Sequence, residues 1–295
     1  MNDGMSPARR MWARLRHTKS ARRGLIMLLL VVGAALAAPL ITPTSPDRVD
    51  PGARLLAPLS RSAAQVGQPP GMLHLLGTDS VGRDTLSRLI YGSRLSLAVG
   101  FAAVVLGALL GTFVGLISGF FGGIIEAVAG WLIDVQLSFP FLLLAIFLLG
   151  ALGGGKTAVI CVLALATWVN YARIVRSQVL SIRNQGYVEA ARAAGAGASR
   201  IIFVHILPNT LTPLFVVASF SMAQAILTEA SLSFTGLGLD PATPSWGTML
   251  NDGRDYLLSA WWISTMPGLA IGFTVMAVLM VGEGMREVLD PRGST

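Results

Sequence analysis

The sequence predicts an all-α integral membrane protein with six transmembrane helices and with cytoplasmic N- and C-termini. Its 295 residues are 53% hydrophobic and only 13% charged, and their mean hydropathy is +0.67. A soluble domain of ordinary composition is about a quarter charged. Several apolar runs are long enough to cross a hydrocarbon core of about 30 Å as helices. Lipid offers no partner to backbone N–H and C=O groups, so each run is expected to be helical.

The charged and reactive residues exclude several other classes of protein. The net charge is +7, but Lys and Arg are scattered and are densest at the N-terminus, which suits membrane orientation and not nucleic-acid binding. Cys161 is the only cysteine, so the chain has no intrachain disulfide and no cysteine metal site. No catalytic pattern is visible, and neither a catalytic residue nor a metal site is predicted. The lone His74 is expected to be a polar interfacial residue.

The N-terminal part of the chain predicts a cytoplasmic arm followed by a membrane anchor. Residues 1–23 are rich in Arg and form the basic arm, and residues 24–41 are the first apolar run of spanning length. A cleaved signal peptide is the alternative, because Ala35-Leu36-Ala37 offers an A-x-A cleavage site. The run is long for a signal peptide, which favours an uncleaved first transmembrane helix.

A long outer loop is predicted at residues 42–94, which are polar and rich in proline. Near its end, apolar side chains at helical spacing alternate with charged ones. This pattern predicts an amphipathic helix on the membrane surface, and it is formed by Arg83, Asp84, Leu86, Arg88, Leu89 and Ile90.

Residues 95–282 are predicted to form the core of the protein, with five further transmembrane helices. The apolar runs lie at 95–120, 131–149, 157–175, 210–233 and 261–282, and a cytoplasmic tail follows at 283–295. Pro140 breaks the third of the six spans, and Asn209 or Thr210 is expected to cap the fifth. This topology places most of the 22 Lys and Arg residues in the cytoplasm, as the positive-inside rule favours.

A glycine appears at every fourth position of the second span and just beyond it. Glycines at this spacing lie on one face of a helix, where two backbones can approach closely. A tight helix contact is therefore predicted there, with a helix of this chain or of another subunit as the partner. The residues are Gly107, Gly111, Gly115, Gly119 and Gly123.

The inner loop at residues 176–209 predicts two short helices around a glycine break. The first is rich in alanine, and Gly195 and Gly197 end it, because glycine adopts a left-handed turn without strain. Ser199 is expected to cap the second helix, and Pro208 is expected to stop it. The first helix has so little side chain that it suits the groove of another protein. An ordinary helix pair at the membrane interface is the alternative.

This loop resembles the EAA coupling loop of permeases from ATP-binding-cassette (ABC) importers. The pattern is Glu-Ala-Ala, then Gly, then Ile-x-Leu-Pro, and here it falls on Glu189, Ala190, Ala191, Gly195, His205, Ile206, Leu207 and Pro208. Many members have Ile where His205 stands, whereas the dipeptide and oligopeptide branch often has His. Residues 74–94, 229–239, 244–247, 252–255 and 289–292 also resemble that branch. Glu189 is expected to accept hydrogen bonds from backbone amides at the helix start.

The resemblance implies the fold of a type I ABC importer permease domain and the "C"-type subunit of a di- or oligopeptide importer in the bacterial plasma membrane. It implies a homologous permease partner, two cytoplasmic ATP-binding subunits or one fused pair, and an extracytoplasmic substrate-binding protein. ATP and Mg would be bound by those partners, and no cofactor by this chain. Nickel or a glutathione-like compound is the alternative substrate. Polar span residues that are candidates to line the pathway are Gln136, Asn170, Ser219, Ser221 and Gln224.

A proton-coupled secondary transporter is the main rival from another class. Such transporters place carboxylates or His along a relay at membrane depth. The candidates here are Asp134 and Glu229, and both are expected near span ends. The shortage of other ionisable groups favours a protein whose energy is supplied by other subunits.

One motif predicts a function that its surroundings contradict. Residues 150–157 satisfy the phosphate-binding pattern G-x-x-x-x-G-K-T. That site requires a strand before the loop and a soluble helix after it, whereas both flanks here are apolar spans. A tight hairpin between two spans on the outer side is the better interpretation, and Lys156 is not expected to bind ATP.

Overall fold

The computed structural model describes residues 18–42, 44–62 and 71–289. Most of the predicted basic arm and the end of the predicted tail lie outside these residues. Within them the chain is mainly helical, with one small antiparallel sheet of two strands. The helices are α1 (Lys19–Leu36), α2 (Ala38–Ile41), α3 (Thr85–Phe121), α4 (Gly123–Leu137), α5 (Phe141–Leu152), α6 (Gly155–Ile182), α7 (Gly186–Ala193), α8 (Ala198–Arg200), α9 (Leu207–Phe234), α10 (Trp246–Gly253) and α11 (Trp262–Leu289). The strands are β1 (Ser60–Arg61) and β2 (Leu73–His74), 3-10 turns lie at Pro51–Ala53 and Arg254–Tyr256, and a π-helical segment lies at Ile201–Ile206.

Four helices in the described part of the chain are long and apolar enough to cross a membrane. They are Thr85–Phe121, Gly155–Ile182, Ala198–Phe234 and Trp262–Val288. Helices α4 and α5 together meet the same criterion, but they are bent by 91° at a break of at most four residues. Helix α1 has 18 residues and three basic side chains in its first five positions, so its apolar part is short. By length and composition the described residues therefore contain four or five candidate spans, where the sequence predicted six.

Four of the five predicted glycines form a close contact within this chain, between α3 and α6, whereas Gly123 begins α4 and an added Cβ there would meet no atom within 4 Å. Ideal Cβ atoms built on Gly115 and Gly119 would lie 2.8 Å from the Cβ atoms of Val175 and Val179. Gly111 lies in the same way against Tyr171 and Ala172. Because the contacting residues advance together along both helices, α3 and α6 are parallel.

The parallel pair determines the course of the chain between its members. After α3 the chain has to return along the length of the pair before α6 begins, and the bent pair α4–α5 makes this return. Helix α9 then runs antiparallel to α3, because Gly100 lies against Ile226 and Met222, whereas Ser96 contacts Glu229. Helix α11 runs antiparallel to α9, because Gly282 lies against Ser219, whereas Ile271 belongs to one cluster with Ile226 and Ala230. The loop between α6 and α9 therefore lies at the same end of the molecule as the turn between α3 and α4.

The outer part of the structure differs from the prediction at the start of the second span. The sequence predicted a separate amphipathic helix on the membrane surface and a span that begins at residue 95. Instead α3 is a single helix of 37 residues. Asp84 caps its first turn by accepting from Ser87 N at 2.8 Å. No proline interrupts residues 85–121. Arg88 is only 1% exposed, so this part of α3 is packed inside the protein.

A cluster of charges fixes the segment before α3 onto α10. Asp79 binds Arg83 through Nε at 2.6 Å, and Asp252 of α10 binds both Arg83 and Arg88 at 3.1 Å. His74, predicted to be interfacial, is buried, and its Nδ1 lies 2.8 Å from Asp84. The segment before α3 and α10 are therefore held together at the N-terminal end of α3.

Candidate functional site

The inner loop has the helix–glycine–helix arrangement that the sequence predicted. Helix α7 ends at Ala193, and Gly195 follows with φ +83°. The amide of Gly195 donates to the Arg192 carbonyl at 3.0 Å, and the amide of Ala196 donates to the Ala191 carbonyl at 3.0 Å. These two bonds form a Schellman motif, in which glycine is favoured at the left-handed position. The predicted role of Gly195 as a helix-ending residue is confirmed, whereas Gly197, predicted to share this role, has φ −69° and lies outside the turn.

The second half of the loop differs from the prediction in its capping residues. Gly197, and not Ser199, is the N-cap of α8, and no side chain caps this helix. The chain then stays helical through the π segment into α9, so Pro208 lies in the first turn of α9 and does not stop a helix. Neither Asn209 nor Thr210 caps the span.

The π segment explains why Pro208 is tolerated there. The amide of Leu207 donates to the carbonyl of Ile202, five residues earlier, and this turn is wider than an α-turn. The proline ring would clash with the preceding turn of a regular helix, and the wider turn relieves that clash. The side chain of Asn209 donates to the carbonyl of His205 at 2.7 Å and thereby helps to satisfy the backbone at this point.

One face of the loop is buried against the spans. Val188 of α7 is fully buried, and it belongs to a cluster with residues of the π segment and of the inner end of α6. Its members at this end of the molecule are Val175, Val179, Ile182, Ile201, Ile202 and Ile206. Packing against this cluster fixes the position of α7 without help from its small residues.

The opposite face of the loop is exposed and carries most of the EAA motif. Glu189, Ala190 and Pro208 are exposed, whereas Ala191, His205 and Leu207 are half-buried. Next to them Phe203 and Val204 are 63% and 57% exposed. The ring of His205 lies 6.2 Å from the ring of Tyr187, so these two side chains link the π segment to α7.

Glu189 differs from the prediction in its hydrogen bonding. The sequence predicted that its carboxylate accepts from backbone amides at the helix start. In the described part of the chain the Glu189 side chain has no such bond, and Gln185, at the N-cap position, provides no side-chain cap. Glu189 is in the first turn of α7, where the positive end of the helix dipole favours a carboxylate. Its charge is therefore presented to the outside of the protein.

The five predicted pathway residues are not brought together by the structure. Gln136 links α4 to α6, because it donates to the Leu165 carbonyl and accepts from Trp168 Nε1 at 2.6 Å. Ser221 is buried, and Ser219 is half-buried against Gly282, so these two face the interior of this chain. Asn170 and Gln224 are exposed on α6 and α9.

A buried carboxylate that the sequence placed near a span end has a more specific environment than predicted. Glu229 of α9 is 0% exposed. Its oxygens accept from Ser233 at 2.8 Å, from Ser96 of α3 at 3.2 Å and from Ser245 before α10 at 3.3 Å. Ser233 is one helical turn away and could have been predicted, whereas Ser96 and Ser245 are distant in sequence and gave no local signal.

The glycine-rich hairpin at residues 150–157 has the context expected of a connection between spans. Helix α5 precedes it and α6 follows it. Gly153, Gly154 and Gly155 all have positive φ, and the Gly155 amide donates to the Gly238 carbonyl at 3.3 Å. The strand that a phosphate-binding loop requires is replaced by a helix.

Two family models match the sequence. Residues 111–294 match the family described as "Binding-protein-dependent transport system inner membrane component". Residues 6–58 match the family described as "N-terminal TM domain of oligopeptide transport permease C". The two matches together cover both the first predicted span and most of the predicted core.

Curated relatives align with nearly the whole chain. The chain is 42% identical over 287 residues to the di/tripeptide transport system permease protein DppC of Pseudomonas aeruginosa, covering 97% of this chain and 93% of the relative. It is also 42% identical over 288 residues to the dipeptide transport system permease protein DppC of Escherichia coli K12, covering 98% of this chain and 94% of the relative.

A solved structure shares the fold. A chain of the MetNI methionine ABC transporter, in an inward-facing crystal form, aligns with a TM-score of 0.57 at 22% identity. The alignment covers 70% of this chain and 98% of the other. At this identity the likeness concerns the fold alone, which is that of a type I ABC permease.

Proposed function

The chain belongs to the family of inner membrane components of binding-protein-dependent transport systems, and we propose that it is a permease subunit of an ATP-driven peptide importer. In this proposal it forms half of a translocation pathway for di- or oligopeptides in the bacterial plasma membrane. The names of its relatives in P. aeruginosa and E. coli support a peptide substrate. The chain itself is a transport subunit and not an enzyme, and ATP hydrolysis takes place on its partners.

The observation that carries the proposal is the exposed face of α7. One stripe of exposed residues on α7 consists of Gly186, Glu189, Ala190 and Ala193, which lie at helical spacing, and Tyr187 and Arg192 are exposed beside it. Its position is fixed from behind by buried Val188 and from its end by the turn at Gly195. The small residues of this stripe suit insertion into a groove of a cytoplasmic ATPase, because they lose little side-chain entropy on docking.

The adjoining π segment supports a role in transmission. The exposed Phe203 and Val204 extend the same surface beyond Gly195. From there the chain is helical to Phe234, at the opposite end of the molecule. A displacement of α7 by the ATPases is thereby passed through the short turn at Gly195 to a spanning helix.

Six spans with both termini in the cytoplasm complete the proposed topology. Helix α1 packs antiparallel to α11, since Ser20 donates to the Met280 carbonyl at 3.3 Å and an ideal Cβ on Gly24 would lie 2.7 Å from the Ala277 carbonyl. At the far end of α1, Arg94 of α3 donates to the carbonyls of Ala35 and Leu36. Contacts at both ends support α1, together with α2, as a sixth crossing, and its basic first turn suits the cytoplasmic side.

The proposed role as a permease subunit implies several partners. One homologous permease subunit provides the other half of the pathway, with exposed Asn170 and Gln224 as the candidate lining residues on this side. Two cytoplasmic ATP-binding subunits, or one fused pair, bind ATP and Mg. An extracytoplasmic substrate-binding protein delivers the peptide to the outer surface, and membrane lipid surrounds the spans.

A substitution on the exposed face of α7 tests the proposal. Ala190→Arg places a long charged side chain on a surface that the fold does not need, so the chain should insert and accumulate normally. Uptake of a labelled dipeptide and recovery of the ATP-binding subunits in a pull-down should both fall about tenfold, which corresponds to ~1.4 kcal/mol. The matched control is Ala242→Arg, at an exposed alanine of the loop between α9 and α10. Normal uptake and assembly in the Ala190→Arg protein would contradict the docking role of α7.

A further inference from the structure

The Glu229 carboxylate joins three elements of the outer half of the protein. It lies on α9, it accepts from Ser96 of α3, and it accepts from Ser245 at the start of α10. The residue is completely buried, and in the described part of the chain no Lys, Arg or His pairs with it. Burying an unpaired charge is costly unless hydrogen bonds compensate for the lost water. The three hydroxyl donors are therefore essential to keeping Glu229 in place.

The start of α10 is built around this carboxylate. Ser245 is the N-cap of α10 and forms a capping box with Thr248. The Trp246 amide donates to Ser96 Oγ at 3.3 Å, and Ser96 in turn donates to Glu229. The first turn of α10 thus reaches the carboxylate through two serine hydroxyls. The positive end of the helix dipole favours a negative charge at this place.

Helix α10 also lies against α9 with no space between the backbones. An ideal Cβ on Gly247 would fall 2.6 Å from Ser233 Cβ and 2.8 Å from Ala230 Cα. On the other side, Trp246 Nε1 donates to the Leu89 carbonyl of α3 at 3.1 Å. Helix α10 is therefore seated on α3 and α9 together, and Glu229 is the only charged residue at the centre of this contact among the described residues.

Helix α9 is the C-terminal part of a longer helix, and the loop that carries α7 lies at the other end of that helix. The chain is helical from Ala198 to Phe234, a distance of about 55 Å at the rise of an α-helix. A motion of α7 that passes the turn at Gly195 therefore reaches Glu229 along one continuous helix.

We propose that Glu229 is a positioning residue that makes α10 move as one body with α9, so that the outer end of the pathway responds to events at the coupling loop. This inference rests on the proposed function. When the carboxylate is intact, α3, α9 and α10 shift together, and the outer surface changes with each ATPase cycle. When it is lost, α9 still moves but α10 no longer follows, and ATP is hydrolysed with little transport.

The test is the number of peptides transported per ATP hydrolysed by the purified whole complex in liposomes. The complex is supplied with its binding protein and with radiolabelled alanyl-alanine. Glu229→Ala should keep the ATPase rate of the complex but lower this ratio about tenfold, as expected when hydrogen bonds to a charged group are lost. Glu229→Gln, which keeps one acceptor oxygen, should lower it less. Ser231→Ala is the matched control, because Ser231 lies on α9 and its hydroxyl donates only to its own helix, at the Leu227 carbonyl.

A second variant covers the case in which Glu229→Ala does not fold. Ser96→Ala removes only the hydroxyl that links Glu229 to the Trp246 amide, and it should lower the ratio in the same direction. Combined with Glu229→Gln it should add little, since residues of one network are not additive. An unchanged ratio in these variants would overturn the inference, and so would a parallel loss of ATPase rate and transport, which indicates a purely structural role. If the unmodified complex transports no peptide, the proposed function fails instead.

Discussion

Gly115 of α3 lies against Ala172 of α6 with no space for a side chain between them. A Cβ atom on Gly115 would come within 2.7 Å of the Ala172 carbonyl oxygen. The parallel pair α3–α6 is the axis around which the remaining helices are arranged, because α9 packs on α3 and the coupling loop packs on the inner end of α6. The contact at Gly115 is therefore a sensitive point of the whole fold.

We expect Gly115→Ala to destabilise the protein, although alanine is the better helix former. The propensity gain is up to ~1 kcal/mol, whereas forcing a methyl group against backbone in a packed contact costs ~1–3 kcal/mol. Thermal unfolding of the purified protein in detergent measures the difference. Gly130→Ala on α4 is the control, because no atom lies within 4 Å of the added Cβ, and it should be neutral or slightly stabilising. Equal unfolding temperatures for Gly115→Ala and Gly130→Ala would show that the two helices can move apart at little cost.

The same contact shows how far the sequence predicts the fold. The spacing of the glycines predicts a close helix contact because small residues on one face have a local periodic signal. The partner is not predictable in this way, since Val175 and Val179 carry no mark that distinguishes α6 from any other apolar helix. The separation of α4 and α5 was predicted at Pro140, where the chain cannot continue a regular helix, but the angle of 91° depends on packing.

The residues of the inner loop and of the Glu229 network also differ in whether local sequence predicts their structure. The turn at Gly195 follows from local chemistry and was predicted. The interpretation of Pro208 as a helix stop was wrong, because the chain passes through a wider π-turn before the proline and stays helical. The isoleucines of this turn are buried with residues of α6 that are distant in sequence. The network of Glu229 depends on hydroxyls that are far apart in the sequence, so only the folded chain brings it together.

The pH dependence of stability should report on Asp252 of α10, outside the spanning helices. Burial raises the pKa of this carboxyl, and the Arg88 and Arg83 guanidinium groups offset this only in part. A carboxyl whose pKa is higher in the folded state costs folding free energy above that pKa. The cost decreases as the pH falls below the folded pKa and is gone below the unfolded pKa.

We therefore expect the wild-type protein to gain stability relative to Asp252→Asn when the pH is lowered from neutral. Thermal unfolding of both proteins across this range measures the difference, with Asp255→Asn, at an exposed aspartate beside it, as the control. The opposite trend, in which acid weakens the wild type more than the Asn variant, would mean that the pairs with arginine outweigh the cost of burial.

The topology predicts which surface positions react with an impermeant thiol reagent. The background is Cys161→Ser, since this cysteine is exposed. A cysteine at the exposed Ala242, in the loop between α9 and α10, should react in intact cells. Cysteines at the exposed Ala193 and Glu287 should react only after the membrane is opened. Labelling of position 193 in intact cells would place α7 outside and end its assignment as a coupling helix. Labelling of positions 242 and 287, but not of position 193, in intact cells would mean that α11 does not cross the membrane.

The conformation of Gly195 leads to a prediction that separates the shape of the coupling loop from its surface. Its φ is +83°, in the left-handed region where a β-branched residue is strained by ~1–2 kcal/mol. An added Cβ would meet no atom within 4 Å, so steric contact within the chain does not oppose a side chain there. Asn is tolerated at positive φ far better than Val is.

We expect Gly195→Val to abolish uptake of a labelled dipeptide and to reduce recovery of the ATP-binding subunits, because the Schellman turn opens and α7 loses its direction. Gly195→Asn should keep most of the dipeptide uptake and most of the recovery of the ATP-binding subunits, since the turn is preserved. Both proteins should insert and accumulate normally, because the spans satisfy their own backbone hydrogen bonds. Uptake and pull-down from the same membranes provide the comparison. If Gly195→Val transports and assembles like the wild type, the loop is only a connection between α6 and α9, and the proposed coupling function is lost with it.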